Sequence, residues 1–396
     1  MSREIYLDNA ATTRIHNAVL EEMMPFLERG YGNPGSVHTK GRTAKNAIEL
    51  ARSRVAKFIN AKPEQIIFTS GGSEANTLAI LGTKHERTAR SKPRCIVNPL
   101  EHHSALFAVN SAFKQREITP CSVAIADKSQ AFCNSVYVTM PPSDIDDVSL
   151  IVTMLENNEV PISYAYTYTQ YLQKRHDAGA LVHGDGVQAL GFDKIDVRDA
   201  HRWYDTISMS GHKIHAPKGV GALFVRNPSI LSPIILGGSA QEFGLRGGTE
   251  NVAGIVGFGK ACEMLMERPT RDYVSNIAMD FDSFLQDEFE KRDIIEHLRR
   301  NGRYEDTKVL SYSIYGVDAE TLVLALSTQG VYVSASSACN GNSVEPSHVL
   351  KAIGLTDLQA RQTIRVSFSV YNTEEDVKAA AELIAEISKE LLEGQM

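Results

Sequence analysis

Apolar residues recur at helical spacing between Thr39 and about Asn60, where Ala44, Ile48, Leu50, Ala51, Val55, Phe58 and Ile59 fall on one side of a 3.6-residue repeat. The spacing predicts a long amphipathic helix over 39–60. A shorter one is predicted over 16–29, stopped by Gly30 and the turn residues Gly32, Asn33, Pro34 and Gly35. Short apolar runs bounded by polar or glycine-rich turns predict strands at 4–7, 65–70, 95–97, 149–154, 180–183, 206–209 and 221–225. Helical stretches at 77–82 and 165–177 lie between them. Strands that alternate with helices point to a mostly parallel sheet covered on both faces.

The pattern changes after about residue 255. One long helix is predicted over 257–290. It is followed by a strand at 308–314, a helix at 318–328, a strand at 331–336, a short helix near 346–352, a strand at 363–369 and a closing helix at 373–393. This is an α+β pattern. The expected organisation is a large domain over 16–254 and a smaller one made of 1–15 and 255–396. Residues 120–148, which mix Pro141-Pro142 with short alternating runs, match no template.

A chain of 396 residues can bury a large core, and its ordinary apolar and charged fractions argue against disorder. The net charge of -7 gives no sign of the basic patch a nucleic-acid binder carries. No apolar run is long enough for a membrane span, and the N-terminal residues lack the apolar core of a signal peptide. The five cysteines are odd in number and show no CxxC spacing. They suit neither a disulfide framework nor a metal site, so no metal and a reducing cytoplasm are expected.

Chemistry enters at the strand ends. Ser210-Gly211-His212-Lys213 follows a strand and precedes a glycine-punctuated apolar run. Lys213 there is either a loop lysine or an amine held in a pocket, where lysine forms Schiff bases with carbonyl cofactors. Residues 69–76 (TSGGSEAN) read as strand end, glycine turn and helix start. They form an ordinary capped helix or an anion site in which Gly72 offers backbone and Ser73 a hydroxyl. Asp185, just past an apolar strand between two glycines, is a turn residue or the partner of a buried cation such as a protonated pyridine nitrogen. Gln188 lies three residues on. His102, in Glu101-His102-His103, is a surface histidine or a ring that stacks on a flat cofactor and exchanges protons. Arg365, on the alternating run 363–369, faces solvent or grips a carboxylate. Cys339 lies among small residues and Asn340-Gly341-Asn342, an unusual setting for a residue that is normally buried. Cys95 and Cys262 sit in apolar contexts and are expected in the core. Taken together, an amine, a phosphate cup, a pyridinium partner and a stacking ring make a pyridoxal 5'-phosphate site.

Order and spacing then resemble a known family, the cysteine desulfurases of the class V aminotransferase-like, fold type I pyridoxal phosphate enzymes. The matching motifs are YLDNAATT at 6–13, GNPGS at 32–36, TSGGSEAN at 69–76, Glu101-His102, NNE at 157–159 and DGVQ at 185–188. SGHK at 210–213, RGGTEN at 246–251, SAC at 337–339, EPSH at 345–348 and Ile364-Arg365 complete the set. The resemblance implies an α/β large domain with a mostly parallel seven-stranded sheet, plus a smaller α+β domain. It implies that Lys213 holds the cofactor and moves the substrate α-proton. Gly72, Ser73, Ser210 and His212 would hold the phosphate, and Thr249 would reach the phosphate of the neighbouring subunit of a homodimer. Asp185 would fix the proton on the ring nitrogen, Gln188 would bond the 3-hydroxyl, and His102 would stack and shuttle protons. Arg365 with Asn158 would clamp the substrate carboxylate.

Cys339, on a loop of the family's long-loop group, would take sulfur from L-cysteine as a persulfide, leaving L-alanine. An acceptor protein, an iron–sulfur scaffold or a sulfurtransferase, would then receive it. Other enzymes of this family, such as an aminotransferase or a selenocysteine lyase, share the cofactor motifs, as would a non-catalytic paralogue. A transaminase has no need of a loop thiol.

Overall fold

A computed structural model describes residues 4–394 except 85–93, 115–118, 123–124, 127–135, 139–147, 165, 239–240, 268–269, 303–305 and 336–345. The seven-stranded sheet runs in the order Ile66–Thr69, Gly221–Val225, Thr206–Ser210, Leu181–Asp185, Val148–Met154, Arg94–Val97, Thr119–Ser122. Only Gly221–Val225 opposes its neighbours; the other pairings are parallel. The expected α/β class and mostly parallel sheet are therefore found. The inner strands are buried along nearly their whole length, as strands covered on both faces must be. Because they share one direction, Thr69, Val97, Met154, Asp185 and Ser210 all end at the same sheet edge. That is where open α/β sheets bind ligands.

A second core surrounds a four-stranded antiparallel sheet ordered Leu298–Asn301, Val309–Ile314, Thr363–Ser367, Ser334–Ala335. Phe281 and Leu285 of the helix Arg271–Lys291 pack there with Val377 and Ile384 of the helix Glu374–Leu392. The N-terminal segment joins the two cores. Ile5 pairs in parallel with Val331 and lies in the second core, while Thr13 N–H donates to the His212 carbonyl at 2.9 Å.

Two expectations from periodicity need correction. The single helix over 257–290 is two helices, Val252–Glu267 and Arg271–Lys291. Their apolar faces serve different cores: Ile255 and Phe258 pack with the large sheet's cluster, and Phe281 and Phe289 with the second. A continuous apolar pattern conceals that change of partner. The strand expected over 331–336 is two short ones, since Val331–Tyr332 pairs with Ile5–Tyr6 while Ser334–Ala335 joins the four-stranded sheet. Within 120–148 the described elements are the end of Thr119–Ser122 and the short strands Ile125–Ala126 and Val136–Val138. Cys95 and Cys262 are fully buried, as their contexts imply.

One buried ion pair braces the large unit. Arg52 and Glu242 are bonded twice at 2.8 Å. Arg52 also donates to the Ile66 carbonyl at 2.7 Å, and Glu242 accepts from Phe68 N–H at 2.7 Å. The pair fixes a turn in which Glu242 and Phe243 both hold positive φ, 42° and 57°, a strained conformation for residues with a Cβ. Arg52→Ala leaves the Glu242 carboxylate buried without its cation and is expected to cost about 3–5 kcal/mol, measured as the loss of unfolding free energy in urea. A loss under about 1 kcal/mol would mean that solvent reaches Glu242 and the pair is not buried in solution.

Candidate active site

The strand ends, the N-terminal segment and the strand Thr363–Ser367 enclose a cavity of about 530 Å³. Gly72, Ser73, His102, Asn158, Asp185, Gln188, Ser210, His212, Lys213 and Arg365 all line it. Residues scattered over nearly 300 positions of sequence thus meet at one place (365 − 72 = 293). Thr249 does not line it; it is exposed, next to Gly248, whose φ is +108°. Cys339 lies outside the described residues.

The lysine sits in the single turn Gly211–Lys213 that ends the strand Thr206–Ser210. Its Nζ turns inward and donates to the carbonyls of Ala10 and of Ala11, the latter at 2.9 Å. The exposed-loop reading of Lys213 therefore falls. Asp185 ends its strand and is 6% exposed. Three donors converge on its two oxygens: Asn76 Nδ2 at 2.7 Å, Val187 N–H at 3.0 Å and Ser208 Oγ at 3.2 Å. Such a set is made for a carboxylate. Next to it, burial and the proximity of Asp185 push Glu101 well above the usual carboxylate range.

At the other end of the cavity the helix Gly72–Leu81 begins directly after Gly71. Gly71 has φ +154° with ψ −175°, a region open essentially to glycine alone. A Cβ on Gly72 would stand 2.5 Å from Val187 Cγ2, so the helix can start this close to the Asp185 turn only with glycine there. Ser73 and Ser210 flank that helix start on the cavity wall. Nearby, His212 Nδ1 meets Thr12 Oγ1 at 3.2 Å. Desolvation, reinforced by Lys213 and Lys218, pushes its imidazole down to about 4, so it is neutral near pH 7. A neutral ring N–H can still donate to an anion. His102 Nδ1 meets Ser104 Oγ at 2.8 Å. Desolvation lowers its pKa against the opposing pull of Asp185.

Arg365 is 3% exposed on its strand, ion-paired with Asp8 at 2.7 Å and donating to the Asn158 carbonyl at 3.1 Å. The contact with Asn158 is thus through backbone. Asp8 is a residue that sequence reasoning passed over: it lies in the 6–13 motif, but nothing in the motif says what it touches. Asn76 and Ser208, both on Asp185, were missed for the same reason.

The cavity fits pyridoxal phosphate on an observation independent of the motifs. Gln188 Nε2 donates to the Ala10 carbonyl at 2.9 Å, while its Oε1 is buried and has no hydrogen-bond partner among the described residues. A buried acceptor left open on a cavity wall calls for a ligand donor such as a ring hydroxyl. An amine, a carboxylate in a donor shell and a helix N-terminus line the same cavity and supply the kinds of group that a phosphorylated pyridine would use.

Comparison with known proteins agrees. The model of the class-V aminotransferases matches residues 5–380. The chain is 37% identical to cysteine desulfurase IscS of Dictyoglomus turgidum, covering 99% of this chain and 96% of that one. It is 36% identical to putative cysteine desulfurase IscS 1 of Bacillus subtilis, covering 98% and 99%. The chain belongs to the cysteine desulfurases of the class-V aminotransferase family. Among solved structures it is similar to a NifS-like protein with a TM-score of 0.83 and 31% identity, covering 97% of this chain and 99% of the other. It is similar also to SspA in complex with cysteine, with a TM-score of 0.73 and 30% identity over 93% of this chain and 100% of that one. As a member of this family the desulfurase is a pyridoxal phosphate-dependent enzyme. Among the described residues no helix is long and apolar enough to cross a membrane, and no cluster suits a metal ion.

Proposed function

We propose that this chain converts L-cysteine to L-alanine and carries the sulfur away as a persulfide on Cys339. The observation that carries the reading is the convergence of Lys213, Asp185, His102 and Arg365 on one cavity whose open acceptor, Gln188 Oε1, awaits a donor. Bound pyridoxal phosphate supplies the electron sink that lets bonds at the substrate's α- and β-carbons break. Lys213 would anchor it through its amine and would take and return the substrate α-proton. Asp185 holds the proton on the ring nitrogen, and Gln188 accepts from the 3-hydroxyl. Gly72, Ser73, Ser210 and His212 bind the phosphate. His102, on the cavity wall, would stack on the ring and pass protons. Arg365, aimed by Asp8 and the Asn158 carbonyl, receives the substrate carboxylate.

The sulfur step then balances without an outside oxidant. Cys339 thiolate attacks the substrate sulfur. The new S–S bond forms as the C–S bond breaks, and its electron pair stays on the carbon, which is protonated to alanine. An acceptor protein, an iron–sulfur scaffold or a sulfurtransferase, takes the persulfide.

The active unit is a homodimer in which Thr249 serves the partner's phosphate site. Support comes from its exposure on a loop whose Arg246 is ion-paired at 2.9 Å to Glu74 of the helix that opens the phosphate cup. The chain divides into a large unit over 16–254 and a small one of 1–15 and 255–396; two separate cores support two units, with Ile255, Phe258, Val349 and Leu350 of the second stretch packing on the large core. The enzyme works in the cytoplasm, as an odd number of cysteines without CxxC spacing suits. With L-cysteine and an excess of thiol reductant, alanine and sulfide are expected in equal amounts. 3-Mercaptopyruvate with formation of the amino form of the cofactor would instead mark an aminotransferase.

A further inference from the structure

Beneath the cavity floor a chain of hydrogen bonds joins groups that the reaction uses separately. His183, fully buried, meets Thr206 Oγ1 through Nδ1 at 2.9 Å and Asn76 Oδ1 through Nε2 at 3.0 Å. Asn76, 1% exposed, gives its amide to Asp185 Oδ2 at 2.7 Å and to Ser104 Oγ at 2.9 Å. Ser104 Oγ meets His102 Nδ1 at 2.8 Å, and its backbone N–H meets the same nitrogen at 3.2 Å.

Donor and acceptor arithmetic gives this chain one direction. The Asn76 carbonyl oxygen can only accept, so His183 donates from Nε2 and accepts from Thr206 at Nδ1. Burial, which pushes His183 down to about 4, suits that neutral form. Both amide hydrogens of Asn76 are then committed, one to Asp185 and one to Ser104. Ser104 Oγ, already accepting, gives its own hydrogen to His102 Nδ1. His102, which lines the cavity, is thereby left with its hydrogen on Nε2.

We propose that Asn76 is a positioning residue of this site: one carboxamide sets the carboxylate of Asp185 and, through Ser104, the imidazole of His102. The two groups would then be oriented together, with the buried His183–Thr206 pair as the fixed end of the chain. This rests on the reading of the site as a pyridoxal phosphate-dependent desulfurase. It adds two residues, Asn76 and Ser104, with different reach. Asn76 serves both arms, and Ser104 only the one toward His102.

The test compares Asn76→Ala, Ser104→Ala and the double variant with the wild-type holoenzyme, together with fluorescence titration of each apoenzyme by pyridoxal phosphate. Loss of a hydrogen bond to a charged group corresponds to about tenfold or more. Asn76→Ala is expected to bind the cofactor about tenfold more weakly and to lower kcat about tenfold, with KM for L-cysteine within about twofold of wild type. Ser104→Ala should lower kcat while leaving cofactor affinity unchanged, and the double variant should fall no further than Asn76→Ala. The proposal is overturned if Asn76→Ala keeps both quantities within about twofold, or if the two effects on kcat multiply in full. Should Asn76→Ala fail to fold, Ser104→Ala decides alone, and an unchanged kcat overturns the link to His102. Failure of the wild type itself to bind the cofactor or to release alanine would strike the functional reading instead.

Discussion

Lys213→Ala is expected to yield a folded protein that holds pyridoxal phosphate only reversibly and has lost desulfurase activity by a factor on the order of 10⁴. The reason is geometric. Lys213 brings an amine inside a cavity that also contains Asp185 and Arg365, and its two carbonyl partners, Ala10 and Ala11, are backbone groups that fix its position without neutralising it. No other lysine lines that cavity among the described residues. Treatment with borohydride should fix the cofactor to the wild-type chain permanently and fail to do so in the variant, where dialysis should remove the visible absorbance. Retention of a borohydride-fixed cofactor by Lys213→Ala would place the anchoring amine elsewhere and break the account of the site.

The second large effect belongs to Cys339→Ser. A serine hydroxyl is far less acidic and less nucleophilic toward sulfur than a thiol, so alanine formation is expected to fall by at least about 10²-fold. The variant should still be yellow, since every cavity-lining group proposed to touch the cofactor is intact. Colour without sulfur transfer would separate the two proposed roles, Lys213 as cofactor anchor and Cys339 as sulfur acceptor. A Cys339→Ser enzyme that releases alanine and sulfide at the wild-type rate would show that the substrate's sulfur leaves by another route. Cys95 and Cys262 make poor substitutes, being fully buried; burial also drives the Cys262 thiol far up in pKa.

Several residues that touch the cavity were legible in the sequence because they stand at a strand end or glycine turn, where side-chain type and local conformation both leave a mark. Asp185 between two glycines and the Gly71-Gly72 helix start are examples. What surrounds them was not legible. Asp8 lies 357 positions from Arg365 and reaches it only because the N-terminal segment bridges the two cores. Asn76 was visible within a motif, yet its link to Ser104 and His183 depends on the register of neighbouring strands. The break between Val252–Glu267 and Arg271–Lys291 was hidden because both helices present an apolar face, each to a different core. Periodicity reports that a face is buried and is silent about its partner.

The central claim is that Cys339 receives the substrate's sulfur, and one measurement reaches it directly. The holoenzyme is treated with one equivalent of L-cysteine, alkylated, digested and read by mass spectrometry alongside an assay of alanine. The expected result is one added sulfur on the peptide carrying Cys339, in an amount equal to the alanine formed. Alanine without sulfur on that peptide, or sulfur carried by Cys121 or Cys133 instead, would contradict the account.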